Sequence, residues 1–142
     1  MKQGEILLPV VALVCWTFLV LLLIAVRRLQ ALYQRDVRLS DFRLGESSAV
    51  PERVVRVNRN YMNLLELPLL FYLGCVLYYL LSAVTPFVVS LAWLYVGLRA
   101  GHSVVHLTWN HVWHRFTLFV ASNLTLLVIW VLLIELLLER VA

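Results

Sequence analysis

Charge is scarce in this sequence. Only 14% of its 142 residues are Asp, Glu, Lys or Arg, against about 25% in an ordinary soluble domain. Glycine (five) and proline (four) are also few, which excludes collagen-like and linker-like chains. Two cysteines, Cys15 and Cys75, both sit inside long apolar runs, so no exposed disulfide framework is indicated. Lysine is nearly absent: Lys2 stands alone beside eleven arginines. What fills the chain instead is apolar, at 63%. A disordered chain is apolar-poor, and a soluble domain of this length could not hide so much apolar surface. The composition therefore defines an integral membrane protein, all-α and small enough for one domain, 1–142.

Four runs are long enough to span, at about 6–26, 64–84, 86–109 and 116–138. The first, Ile6 to Val26, holds 21 residues without a charge, enough to cross a ~30 Å hydrocarbon core. It is too long for a signal-peptide core and ends in Arg27-Arg28, so it reads as a retained span. The second and third runs are separated only by Ser82–Pro86, a tight antiparallel hairpin. Eight of the twelve basic residues lie between Arg27 and Arg59, whereas the hairpin turn carries no charge. By the positive-inside rule, the first loop and the turn between spans three and four face the cytosol, and both termini lie on the other side. Gly45-Glu46-Ser47-Ser48 reads as a flexible middle of the first loop. With no soluble module to present a basic patch, nucleic-acid binding is not expected.

A charge at bilayer depth costs about 2.5–3.5 kcal/mol on insertion scales, so it is normally paired and functional. Glu66 stands in this position. Arg56, Arg59, Asn63 and Glu66 step by three, four and three, which aligns them on one helical stripe. In the third span Tyr95, Arg99, His102 and His106 step by four, three and four. Arg115 follows at the start of the fourth span. If the stripes face each other they form a basic pocket with one carboxylate at its floor. The plainer alternative is that Glu66 pairs with Arg59 or Arg99 and merely holds helices together. Three arginines, two histidines and an asparagine exceed what one glutamate requires, which favours a ligand pocket. A metal reading through His102, His106, His111 and His114 is opposed by Arg99 and Arg115, which would place positive charge beside the cation. No metal is expected. Gly97 and Gly101 have the spacing that permits close helix approach, and Asn123 reads as a helix–helix contact. Trp109 and Trp113 read as interface anchors.

These residues resemble a known family. Arg59-xxx-Asn63-xx-Glu66, followed by Pro68 and Phe71, resembles the second-helix signature of the MAPEG family, the membrane-associated proteins in eicosanoid and glutathione metabolism. Gly97-Leu98-Arg99-Ala100-Gly101-His102, then His106 and Arg115, is similar to that family's third-helix block. The resemblance extends over essentially the whole chain and is nearest to the microsomal glutathione transferases. It implies a homotrimer of four-helix bundles, with glutathione as co-substrate between subunits and opening toward the cytosol. Carried over by position, it implies that Arg59, Asn63 and Glu66 hold the glutathione backbone. Arg99, His102 and His106 would hold its other polar ends, Arg27 would add a first-helix contact, and Arg115 would stand beside the thiol. His106 falls where well-studied members carry Tyr, and Phe116 where the prostaglandin-synthase branch has Ser. The implied activity is a glutathione transferase or peroxidase acting on lipophilic electrophiles. The implied location is the inner membrane of a bacterium or an endoplasmic-reticulum-type membrane of a eukaryote. The alternative is a non-catalytic membrane protein that uses the same bundle to bind lipids, anions or a partner protein.

Overall fold

The computed structural model describes residues 2–42 and 48–141. Its helices are α1 (Leu7–Tyr33), α2 (Glu52–Leu65), α3 (Pro68–Leu80), α4 (Pro86–Leu107) and α5 (Val112–Val141). Four helical segments are long and apolar enough to cross a membrane: Gln3–Tyr33, Glu52–Leu80, Pro86–Leu107 and Val112–Val141. No strand occurs among the described residues. The antiparallel order brings the first loop and the α4–α5 turn to one end of the bundle. The start of the first span, the α3–α4 turn and the end of α5 share the other end, where Val84 N–H donates to Gln3 Oε1 (3.1 Å) and Arg140 Nη2 to the Leu81 carbonyl (2.9 Å). Of the flexible stretch expected at Gly45–Ser48, only Ser48 falls within the described residues.

The helices run past the apolar stretches that mark them in the sequence. The second begins at Glu52, well before Leu64, because its polar first half is amphipathic. Val54, Val57, Asn60 and Leu64 form its buried face. This segment breaks between Leu65 and Pro68. Proline has no N–H to donate to the carbonyl four residues back and its ring clashes there, so the ladder stops. The chain recovers by tighter bonds: Leu69 N–H donates to the Glu66 carbonyl (3.2 Å) and Leu70 N–H to the Leu67 carbonyl (3.0 Å). Pro68 then sits in the first turn of α3, where a missing N–H costs nothing.

Three connections turn through left-handed residues without glycine: Arg35 (φ 59°), Ser82 (φ 52°) and Asn110 (φ 50°). After Ser82, Thr85 caps α4 by accepting from Val88 N–H (3.3 Å), with Pro86 in the first turn. The main core joins Leu13, Phe71, Cys75, Tyr95, Ile129 and Leu133 from all four spans. Across α3 and α5, Tyr78 Oη donates to the Ile129 carbonyl (3.2 Å) and Trp130 Nε1 to the Leu70 carbonyl (3.2 Å). A smaller core of Ala31, Val37, Val50 and Val54 ties the first loop to α1 and α2. There Arg53 forms an ion pair with Asp36. Large apolar side chains such as Phe18, Leu22, Leu69, Phe87 and Leu124 remain exposed around the bundle. Only lipid or another apolar protein surface could cover such a belt.

Neither glycine of the Gly97–Gly101 pair lies at a close helix approach within the chain. A Cβ at Gly97 would meet nothing within 4 Å, and one at Gly101 would meet Leu118 at an ordinary 3.8 Å. Gly97→Ala is therefore expected to raise the stability of an isolated chain by up to about 1 kcal/mol through helix propensity. Thermal unfolding of the detergent-solubilised variant checks this. A fall in stability would place a neighbouring copy against Gly97.

Candidate functional site

The α4 helix carries the polar interior. Arg99 (1% exposed), His102 (4%), Ser103 (0%) and His106 (2%) are all buried in it. A guanidinium that deep needs acceptors. The sequence suggests Glu66, but the structure supplies a main-chain group instead. Arg99 Nη2 donates to the carbonyl of Asn63. In an unbroken helix that carbonyl would accept from Leu67 N–H; the break ahead of Pro68 leaves it available. The guanidinium also lies over the rings of Tyr95 (5.9 Å) and Phe119 (5.7 Å). Its Nε and Nη1 have no partner.

Glu66 is exposed at the break, and neither ion pair of the described residues, Arg53–Asp36 or Arg56–Glu52, includes it. It is close enough to Arg99 for electrostatic interaction, but it does not form the floor of an enclosed pocket. Arg59 is likewise exposed. The stripe on the second span thus runs along the edge of the buried face, with Arg56 and Asn63 half-buried and Arg59 and Glu66 outward.

Between these helices and α5 lies a cleft of about 280 Å³ lined by Asn63, His102, Val112, Arg115, Phe116 and Phe119. The turn before α5 aims Arg115: its Nη1 donates to Asn110 Oδ1 (2.7 Å), and Asn110 holds the left-handed conformation that reverses the chain. Nε of Arg115 is buried without a partner. The His102 ring stacks on that of His106 (5.9 Å, 13° between planes) and leans on Phe119 (6.0 Å). His106 Nδ1 is buried and unpaired. Arg56 donates to the Thr108 carbonyl (3.1 Å) at the end of α4 and to Glu52 (2.6 Å). Arg56 and Arg59 both lie within electrostatic range of Arg115 and His106. Guanidiniums therefore outnumber carboxylates here, and several buried donors point at no protein acceptor. Such a site attracts an anion that carries several acceptors.

Of the residues singled out in the sequence, Asn63, Arg99, His102, His106 and Arg115 come together within one chain. Arg59 and Glu66 border them on the outer surface. Arg27 stands apart: its guanidinium donates to Gln30 Oε1 (3.4 Å) on its own helix. His111 and His114 are separate from the buried histidines. They form an exposed pair (4.5 Å between rings), with Trp109 Nε1 donating to His114 Nδ1 (3.1 Å). Asn123 lines a second cleft of about 360 Å³ between α3 and α5 with Leu67, Leu70, Leu126, Leu127 and Trp130, and its Oδ1 is unpaired.

Sequence reading missed Asn60 and Ser103. Asn60 is fully buried, and its Nδ2 donates to Ser103 Oγ (2.6 Å), which sets the register of α2 against α4. The steps Val54, Val57, Asn60, Leu64 carry the signal: one amide on an apolar face. Glu135, exposed near the end of α5, was also missed among its leucines.

The fold and the cleft together define a polytopic membrane protein with an anion-attracting site built inside its helices. A match to the MAPEG family covers residues 6–134, and the chain belongs to that family. No curated protein and no solved structure matches it.

Proposed function

We propose that this chain is a membrane-embedded glutathione-dependent transferase or peroxidase that works as a homotrimer. The observation that carries the reading is the convergence of Arg115, His102 and Asn63 on one cleft beside the buried, under-satisfied Arg99. Glutathione is anionic overall and rich in acceptors, so it fits that donor set. Arg59, Asn63 and Glu66 hold its backbone, Glu66 taking the ammonium. Arg99, His102 and His106 take its carboxylates and other polar ends.

The size of the cleft supports a shared site. Ligand pockets usually enclose about 300–1,000 Å³, and 280 Å³ from one chain falls just below that range. Arg59 and Glu66 face outward from the amphipathic second span, where a second copy of the chain would cover them and bring the Arg27 side of its first helix to the site. The arginine-rich first loop supports a cytosolic mouth.

Arg115 supplies the chemistry. A free thiol has a pKa of ~8.5 and is a weak nucleophile until ionised. Lowering that by two units takes about 2.7 kcal/mol of differential interaction, within reach of one partly desolvated guanidinium. Arginine suits the role because it stays charged when half-buried. The apolar wall of Val112, Phe116 and Phe119 then presents the thiolate to electrophiles dissolved in the membrane.

Titrating glutathione into the purified protein, with heat and thiolate absorbance as readouts, tests this reading. Saturable binding with thiolate formed at neutral pH is expected, and Glu66→Gln should weaken that binding about tenfold, the loss of one charge-assisted contact. Absence of binding up to millimolar glutathione would leave the fold as a non-catalytic lipid-, anion- or partner-binding module. Unchanged affinity in Glu66→Gln would remove that residue from the glutathione site.

A further inference from the structure

His102 lies in the site as more than a polar contact. It is buried to 4% exposure, yet it lines the same cleft as Arg115. Its ring is held from two sides, by the parallel ring of His106 and by Phe119. His106 Nδ1, in contrast, is buried and unpaired away from the cleft lining. A neutral imidazole has one nitrogen free to accept a proton and one N–H to give. Such a group, oriented by packing and lining one cleft with Arg115, is placed to act as a proton carrier.

We propose that His102 is a catalytic residue of the glutathione reaction, taking the thiol proton and returning it to the leaving oxygen of a hydroperoxide. The inference rests on the glutathione reading above. In the first step the S–H bond breaks, an N–H bond forms on His102, and Arg115 stabilises the sulfur anion. The sulfur then attacks the terminal oxygen of the hydroperoxide. An S–O bond forms, the O–O bond breaks, sulfur is oxidised to the sulfenic acid and the peroxide is reduced. The departing alkoxide takes the proton from imidazolium, which leaves His102 neutral for the next turn. A second glutathione thiol converts the sulfenic acid to disulfide and water. An aryl halide makes a different demand. Chloride leaves as a stable anion and needs no proton, so that reaction uses only the first half of the cycle and the imidazolium releases its proton to water.

The charged and titratable groups around the ring are Arg99 and His106 on α4 and Arg115 on α5, with Arg56 and Arg59 of α2 within range of His106. Glu66 lies near Arg99, and Glu52 is engaged by Arg56. Of the two imidazoles, His102 alone lines the cleft, so His106→Gln serves as the control.

The test compares wild type, His102→Gln and His106→Gln in the full-length detergent-solubilised protein. Glutathione binding is measured by calorimetry, and pH–rate profiles are recorded with cumene hydroperoxide and with 1-chloro-2,4-dinitrobenzene. His102→Gln is expected to lose no more than about tenfold in glutathione affinity, as one of several polar contacts, and at saturating glutathione to reduce the hydroperoxide about 100-fold more slowly. Its acid limb should disappear, and the aryl halide rate should fall less than the hydroperoxide rate. His106→Gln should keep the acid limb. Equal losses with both electrophiles, or a hydroperoxide rate and pH profile like wild type, would overturn the proposal while leaving glutathione binding intact. Failure of wild type itself to bind glutathione would overturn the underlying reading, and His102 with it. If His102→Gln does not fold, His102→Asn and rescue of its hydroperoxide rate by added imidazole take its place; no rescue in a folded, glutathione-binding variant overturns the proposal.

Discussion

Arg115→Ala is expected to bind glutathione nearly as well as wild type and to turn over about 100-fold more slowly, the equivalent of the ~2.7 kcal/mol needed to ionise a thiol at neutral pH. The structure explains why the loss should fall on turnover. Arg115 is half-buried at the start of α5 and holds one side-chain hydrogen bond, to Asn110 in the adjoining turn. It belongs to neither hydrophobic core, so the variant should fold. The anchoring donors, Arg99 and Asn63, remain in place on other helices. Thiolate absorbance of the glutathione complex at neutral pH gives the direct readout and should vanish with the rate. Arg115→Lys should recover only part of both, since an ammonium keeps the charge but loses the planar fork and is more strongly hydrated. A variant without Arg115 that still forms thiolate at neutral pH would move the activation to Arg99 or Arg59.

Much of this site was legible in the sequence, for a physical reason. Charges inside long apolar runs are expensive, so each one marks a place where the fold must compensate. The three-and-four spacing placed Arg99, His102 and His106 on one face, and all three are buried together on α4. Phe119 and Val112, four residues on from Arg115 and three back, share its face and line the cleft, but apolar side chains in an apolar span carry no such mark. What spacing could not show was the partner of Arg99. The acceptor is a main-chain carbonyl, exposed by a break whose cause, Pro68, was visible but whose consequence depended on how α4 packs against α2. Nor does the spacing within the stripe say which way it turns: at 100° per residue Arg59 lies about 100° and Glu66 about 120° around the helix from Asn60, so burial of the Val54, Val57, Asn60 and Leu64 face turns both outward. Arg27 illustrates a further limit. Its place in the sequence puts it toward the first-loop end of its helix, but its guanidinium turns to Gln30 on that same helix rather than to the cleft.

Arg99→Met is expected to leave the ligand-free protein about as stable as wild type while removing all stabilisation by glutathione. Two effects oppose each other in the empty protein. Replacing a poorly paired buried charge by an apolar side chain of similar length commonly gains about 1–4 kcal/mol. Against that, the Asn63 carbonyl loses its donor, at about 1–3 kcal/mol for an unsatisfied buried group. The methionine can also occupy the slot between Tyr95 and Phe119, where its sulfur packs well against rings. The near-cancellation means that Arg99 is retained for something other than the empty fold. Its unpaired Nε and Nη1 suit a ligand carboxylate, and that interaction exists only when the site is filled. At a ligand concentration 100 times Kd, a binding site stabilises the native state by about 2.7 kcal/mol. Thermal unfolding of both proteins with and without glutathione should therefore show the increment in wild type and none in Arg99→Met. A variant that loses several kcal/mol before ligand is added would make Arg99 a clamp for the helix break. One that keeps the full increment would place the glutathione carboxylates elsewhere, on the outward-facing Arg59.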